Sequence, residues 1–175
     1  MCKFRALNAD EIEVRVGQAK ETYITLLLYK DARVDMNLLD ETIGPGKWQR
    51  EHYEVKGNLY CRVGIKLNDE WVWKADCGVE SNAEAQKGEA SDSFKRACVN
   101  WGIGRELYTS PEIKVNAQYC NIKKSEYNGK ATFKCYDDFI VEKIVIEDKV
   151  IKAIAIWNKT KNCRAFVWQR PEAAK

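Results

Sequence analysis

The run EWVWKADCGVESNAEAQKGEASDSFKRACVNWGIG, residues 70–104, holds a strand, a turn and a capped helix in succession. Trp71, Trp73, Ala75 and Cys77 recur at period two, the spacing of one face of a half-buried strand. Gly78 supplies the turn. Ser81-Asn82-Ala83-Glu84 is a capping box, in which a hydroxyl and a carboxylate satisfy backbone donors left open at a helix start. The helix that follows gathers Ala90, Phe94, Ala97, Cys98 and Trp101 on one stripe, and Gly102 can close it in the left-handed conformation. Lys87, Ser91 and Lys95 are successive i,i+4 neighbours flanking that stripe, and Arg96 follows Lys95. A helix anchored in this way carries a positive edge at a fixed height above a sheet.

Upstream of this run, residues 48–56 and 59–67 alternate in the same way. The second is the clearer, with Leu59, Cys61, Val63, Ile65 and Leu67 on one face and Tyr60, Arg62 and Lys66 opposite. Gly57-Asn58 and Asn68-Asp69 are compact turn signals, so the three strands form an antiparallel meander. A helix then covers its apolar face. The class is α+β, built on a β-β-β-α core. Before the meander, Asn8 and Glu11 form another capping box with Leu7 and Ile12 as a hydrophobic staple, which predicts a short helix with Arg15 just past its first turn. Residues 22–29 read as a strand ending at Tyr29. Asp35 is expected to cap a further helix, with Met36, Leu39 and Ile43 on one face and Gly44-Pro45-Gly46 as its stop. Beyond the core, 133–146, 150–157 and 163–169 read as a smaller β meander, packed on the core or on a neighbouring subunit. The expected division is therefore a core over 1–110, a connection over 111–131 and a meander over 132–170.

At 175 residues the chain suits one ordinary domain with a sizeable core. Hydrophobic residues make up 45% and charged residues 31%, which places it among globular rather than disordered chains. No apolar run approaches the roughly 20 residues needed to span a bilayer. The start, MCKFRALNADE, lacks the charged-then-apolar pattern of a signal peptide. A soluble cytoplasmic protein is expected, with no membrane partner. The seven cysteines show no CxxC and the chain has one histidine, His52, so free core thiols in a reducing compartment are a better reading than a zinc site. Net charge is +3, too small to identify a nucleic-acid binder alone. Its distribution says more. From Lys114 onward there are 13 basic and 7 acidic residues, a basic C-terminal third that suits a polyanion and equally suits a solvated surface.

A nucleotide-dependent enzyme finds no support. The chain has neither GxxxxGK[ST] nor GxGxxG after a strand, and Gly102-Ile103-Gly104 is too short and wrongly placed. With one histidine and no GxSxG, nucleophilic catalysis lacks its parts. Asp137-Asp138 and Asp40-Glu41 could in principle hold magnesium, but adjacent acids more commonly serve solvation. No catalytic residue, metal or cofactor is expected. Polyanion binding is better supported, since phosphates need rigidly held Lys or Arg and unpaired bases need exposed aromatic surface. Lys87, Lys95 and Arg96 share one helix; Arg15 and Tyr29 lie on the elements before the sheet. A structural account competes at each position. Asp92, four residues before Arg96, would explain that arginine as an ion pair, and Tyr29 at a strand end commonly packs. Two classes of function stand side by side: a nucleic-acid-binding protein, and an oligomeric scaffold or protein-binding module.

Residues 12–107 resemble the Rad52 family of single-strand annealing proteins, in particular its short phage and prophage members of the Sak type. The resemblance is carried by Arg15 in EVRVGQ, by Tyr29-Lys30-Asp31-Ala32-Arg33, and by the helix ending in Gly44-Pro45-Gly46-Lys47-Trp48. It continues through the meander, Cys77-Gly78-Val79-Glu80, and Ser93-Phe94-Lys95-Arg96-Ala97 followed by Trp101-Gly102. It implies a homo-oligomeric ring whose outer groove holds single-stranded DNA with bases outward, and annealing of complementary strands without ATP during recombination and repair. It also implies a cooperating single-strand-binding protein and a bacterial host cell, with a phage or prophage gene. The implied groove residues are Arg15, Tyr29, Lys87, Lys95 and Arg96, with Val79 at the groove turn. Two places depart from the family pattern. Val99 stands where the family has a further basic residue. The loop after Gly78 is shorter and lacks a lysine associated with an outer DNA site, where Asn58 also replaces a lysine and Lys56 lies nearby.

Overall fold

A computed structural model describes residues 3–78, 85–127 and 130–171, with the backbone alone for 85–87, 127 and 130. It is a mixed fold of two α-helices and antiparallel strands among the described residues. The chain forms two compact units, one from residues 1–6 and 31–105, the other from residues 7–30 and 106–175.

The first unit is the β-β-β-α arrangement with a helix in front. Helix α1 (Ala32–Ile43) is capped by Asp31, whose carboxylate accepts from the Arg33 N–H at 2.7 Å, and it stops at Gly44 with φ 92°. The expected cap, Asp35, lies instead inside the first turn and is fully buried. Two aspartates one turn apart offered the same signal, and the one directly after strand and Lys30 takes the role. Strands β3 (Trp48–Val55), β4 (Asn58–Leu67) and β5 (Glu70–Cys77) form the meander. Its turns, Lys56-Gly57 and Asn68-Asp69, have positive φ at both residues, as tight hairpins with the native twist require. Helix α2 (Ala85–Trp101) packs on β4 and β5; the capping box expected at its start lies outside the described residues. Phe94, Ala97 and Cys98 of α2 are fully buried with Cys61, Val63 and Ile65 of β4. Trp101 donates its indole N–H to the Val63 carbonyl at 2.9 Å, and Gly102 (φ 97°) ends the helix as expected.

The second unit differs from expectation in its pairing. Residues 13–19 form a strand, β1 (Glu13–Ala19), where the capping box suggested a helix; Asn8 and Glu11 close only a single 3-10 turn over Ala9–Glu11. Val14 and Val16 favour extended backbone, and Gly17 sits at an irregularity in the pairing with β2 (Tyr23–Tyr29). Residues 111–131, expected as a connection, contribute β6 (Ile113–Asn116) and β7 (Ile122–Tyr127). The single strand expected over 133–146 is two, β8 (Lys130–Cys135) and β9 (Phe139–Glu147), broken at Tyr136-Asp137-Asp138. With β10 (Val150–Asn158) and β11 (Cys163–Gln169), a six-stranded sheet runs β11-β10-β9-β1-β2-β6, and β7-β8 form a separate two-stranded sheet. The C-terminal strands thus share a sheet with β1, β2 and β6 rather than forming a meander of their own.

Candidate nucleic-acid interface

On the first unit, α2 presents Lys95 and Arg96 beside each other. Lys95 is half-buried. Arg96 reaches back to β5, its Nε 3.3 Å from the Asp76 carboxylate, and keeps 43% of its side chain exposed. Asn100, one turn on, donates to the Ala75 carbonyl at 3.0 Å and lies 3.4 Å from the other Asp76 oxygen. The end of α2 is held by cations. Lys74 donates to the Asn100 carbonyl at 2.8 Å and lies over the Trp101 ring, and Arg105 donates to the carbonyls of Val99 and Asn100. Positive groups there meet the negative end of the helix dipole and the carbonyls left open by the last turn. α2 is therefore fixed at its C-terminal end, with Lys95-Arg96 about one turn before it. Lys56 is exposed at the β3–β4 turn. Val79 and the Lys87 side chain lie outside the described residues.

On the second unit the structure brings Arg15 and Tyr29 together. Glu13 pairs with Tyr29 across β1 and β2, which places Arg15, two residues on and on the same face, diagonally beside the ring. The guanidinium lies 4.9 Å from the Tyr29 centroid, within cation–π range, and Arg15 also pairs with Glu13 through its Nε at 3.1 Å. Arg15 is 58% exposed. An exposed, half-neutralised arginine on an aromatic face can take a phosphate while the ring takes a base or sugar. Lys95 with Arg96, and Arg15 with Tyr29, are thus two local pairs, one on each unit.

A third group lies on the far face of the meander. The period-two residues Trp71 and Trp73 do not face α2; register puts them with Tyr60, Arg62 and Lys66 on the opposite side of the meander. Trp71 is 39% exposed. Arg62 is held by two hydrogen bonds from its Nε and Nη2 to Glu51, at 2.9 and 2.6 Å. Its guanidinium lies 4.5 Å from the Trp73 ring and 6.0 Å from Tyr53, which stacks with Tyr60. The residues of β5 that do face α2 are Val72, Lys74 and Asp76, and the last two are polar because they hold the helix end. The alternation marked two faces correctly; which one the helix covers is decided by those polar partners.

Among the described residues no three His, Cys, Asp or Glu side chains gather as metal ligands, and no helix is long and apolar enough to cross a membrane. The six described cysteines form no disulfide among the described residues, and four of them are buried. Burial pushes the Cys61 thiol up to about 11 against the pull of Arg50, so it is protonated at neutral pH.

Comparison with known proteins places these residues in a wider group. Over 96 residues the chain is 36% identical to the single-stranded DNA-binding protein DdrA of Deinococcus radiodurans. The alignment covers 54% of this chain and 46% of that protein, so the chain spans about half the length of the relative it matches. A family model described as Rad52/22 family double-strand break repair protein matches residues 4–127, extending past the 12–107 seen in the motifs alone. That is most of the chain, from before β1 to the end of β7: the protein belongs to the Rad52/22 family.

Proposed function

We propose that this protein binds single-stranded DNA and anneals complementary strands, without ATP, in recombination and repair. The observation that carries the reading is family membership across residues 4–127. The DNA-binding name of a relative over about half the chain adds to it. Lys95 and Arg96 on α2, and Arg15 with Tyr29 on β1 and β2, are the groups assigned to the strand, with Lys87, Lys56 and Val79 assigned from the family pattern. In this reading the strand-binding core is residues 1–110, working as a homo-oligomeric ring beside a single-strand-binding protein.

The physics of annealing needs no reacting group. Two strands repel through their phosphates, so a surface that neutralises one of them lowers the cost of bringing in the second. Specificity then comes from base pairing, which requires only that the bases be left free. A cation whose side chain is already held loses less freedom on binding than one on a mobile chain, and Arg96 is held by its ion pair with Asp76.

The test is a titration of labelled single-stranded oligonucleotide at several salt concentrations, with the wild type, Lys95→Ala and Arg96→Ala. Each variant is expected to weaken binding and to flatten the slope of log affinity against log salt by about 0.7 per lost phosphate contact. Oligomeric state should not change. One observation favours the rival, an oligomeric scaffold: Arg96 and Arg15 already have carboxylate partners in Asp76 and Glu13. Wild-type protein that ignores oligonucleotide in dilute buffer would establish that rival and remove the annealing reading.

A further inference from the structure

Direct opposition in the six-stranded sheet sets one row of side chains across five strands. Tyr29 on β2 stands opposite Glu13 on β1, Glu13 opposite Ile140 on β9, Ile140 opposite Trp157 on β10, and Trp157 opposite Arg164 on β11. Opposed residues share a face. The row therefore lies on the side of the sheet away from Val141 and Ile156, which are buried. Ile140 is 42% exposed, the Arg164 side chain is 50% exposed, and Trp157 is half-buried. At about 4.8 Å per strand the row is about 19 Å long.

Arg15 and Tyr29 occupy one end of this row, and the other end repeats their chemistry. Arg164 donates from Nε and Nη2 to the two Glu142 oxygens, each at 2.6 Å, as Arg15 is held by Glu13. An exposed pair of this kind adds little to stability. It does hold the guanidinium in place, and the two hydrogen bonds use fewer than its five donors. Trp157 supplies a ring next to Arg164, as Tyr29 does for Arg15. Lys143, opposite Ala155 on the same face, is exposed, so Arg15, Lys143 and Arg164 outnumber Glu13 and Glu142 around the row. The sheet also fixes a direction. β6 pairs with β2 from Tyr23 to Leu26, short of Tyr29, so beside Tyr29 the sheet continues through β1 toward β9, β10 and β11. A polyanion held at Arg15 and Tyr29 and lying across the sheet next meets Ile140, Trp157 and Arg164.

We propose that β9, β10 and β11 extend the single-strand path, with Arg164 taking a phosphate and Trp157 and Ile140 taking the sugars or bases of neighbouring nucleotides. The proposal rests on the single-strand reading above. Ile140, Trp157 and Arg164 lie outside the matched span 4–127, so the family pattern assigns none of them.

The experiment titrates labelled oligothymidylate against the full chain, its Arg164→Gln and Trp157→Leu variants, and Lys20→Gln as a control for lost charge. Arg164→Gln is expected to weaken binding about fivefold at low salt and to flatten the log–log salt slope by about 0.7 per lost contact. Trp157→Leu is expected to weaken binding about fivefold and to leave the slope unchanged, since a stacking contact releases no counterions. Trp157→Phe keeps a ring and should bind within about twofold of wild type, which separates contact with the strand from damage to the sheet. Lys20→Gln should also bind within about twofold, and every variant should keep the oligomeric state of wild type. Wild-type binding by Arg164→Gln or by Trp157→Leu, with Lys95→Ala still weakened, overturns the extension and leaves the annealing reading standing. An equal loss in the control overturns it, by making the effect one of net charge. A changed oligomeric state overturns it too, by making the face a contact between copies. Wild type that ignores oligothymidylate removes the annealing reading itself, and the extension with it.

Discussion

Asp137 illustrates how a residue that looks like surface in sequence becomes a hinge of packing. Burial pushes its carboxyl up, but the Asn158 amide, the Asn121 backbone and side-chain N–H groups, and the charge of Lys161 together hold it below the ordinary carboxylate range. It accepts from the Asn121 N–H at 2.8 Å and from Asn158 at 2.8 Å, and Asn158 in turn donates to the Tyr119 carbonyl at 2.9 Å. Because the folded carboxyl is depressed, its contribution to stability is complete above the unfolded value near 3.8 and is lost as pH falls through the folded one. Asp137→Asn is therefore expected to cost about 1 kcal/mol at pH 7 and progressively less as the pH falls below 3.8, narrowing the gap between the wild-type and variant melting temperatures. An unchanged gap would remove the carboxylate from this role. Its neighbour Asp138 behaves as adjacent acids were expected to, exposed and paired with Lys159 at 2.6 Å. Sequence could not separate the two, because what distinguishes them is the arrival of Asn121 and Asn158 from elsewhere in the chain.

Among elements, the seating of α2 on the meander depends on one glycine. A Cβ on Gly78 would lie 2.3 Å from the Glu89 carbonyl oxygen, a backbone atom of α2 that cannot swing aside. The Glu89 carboxylate meanwhile accepts from the Leu59 N–H at 2.9 Å, and the Gly78 N–H donates to the Leu59 carbonyl at 2.9 Å. Gly78→Ala must therefore push the helix off β4, an overpacking cost of about 3 kcal/mol. Chemical denaturation measures it, and a loss under about 1 kcal/mol would mean that the helix shifts freely. Most of this unit was legible in sequence. Two-residue turns, period-two strands and the buried stripe Phe94-Ala97-Cys98 are all local signals. What could not be read was which strand face the helix covers, since Lys74 and Asp76 lie half-buried beside it for hydrogen bonding and the large rings of Trp71 and Trp73 are turned away. Among the binding candidates, the Arg15–Tyr29 pair was legible only as two separate residues; the strand pairing that joins them was hidden behind a capping signal.

For the whole molecule, the order of residues along the chain and their order in space part company. β1 pairs with β2 on one side and β9 on the other, where Glu13 stands opposite Ile140. Buried side chains of this unit come from both ends of the sequence: Leu7, Ile12, Ile24 and Leu26 from one, Val141, Ile151, Ile154 and Ile156 from the other. No local period reports such pairing, which is why a separable C-terminal meander was expected. A chain ended at residue 131 cuts β8 after two residues, loses β9 to β11, and bares both an unpaired strand edge and this apolar face. It is expected to aggregate, read as light scattering and loss of a sharp melting transition. A monodisperse, cooperatively melting fragment would show that the first 131 residues fold without the last four strands.

The placement of β1 between β2 and β9 also has a consequence for synthesis. At about 5–20 residues per second, on the order of 10 s separate the emergence of Glu13 from that of Ile140, and for most of that interval, until β6 emerges at Ile113, the β1–β2 hairpin has no third strand to lean on. The stretch from Asp31 to Arg105 is contiguous and can close while the ribosome is still working. The nascent chain is thus most exposed to capture by chaperones at its own beginning, and its first strands must be among the last to settle.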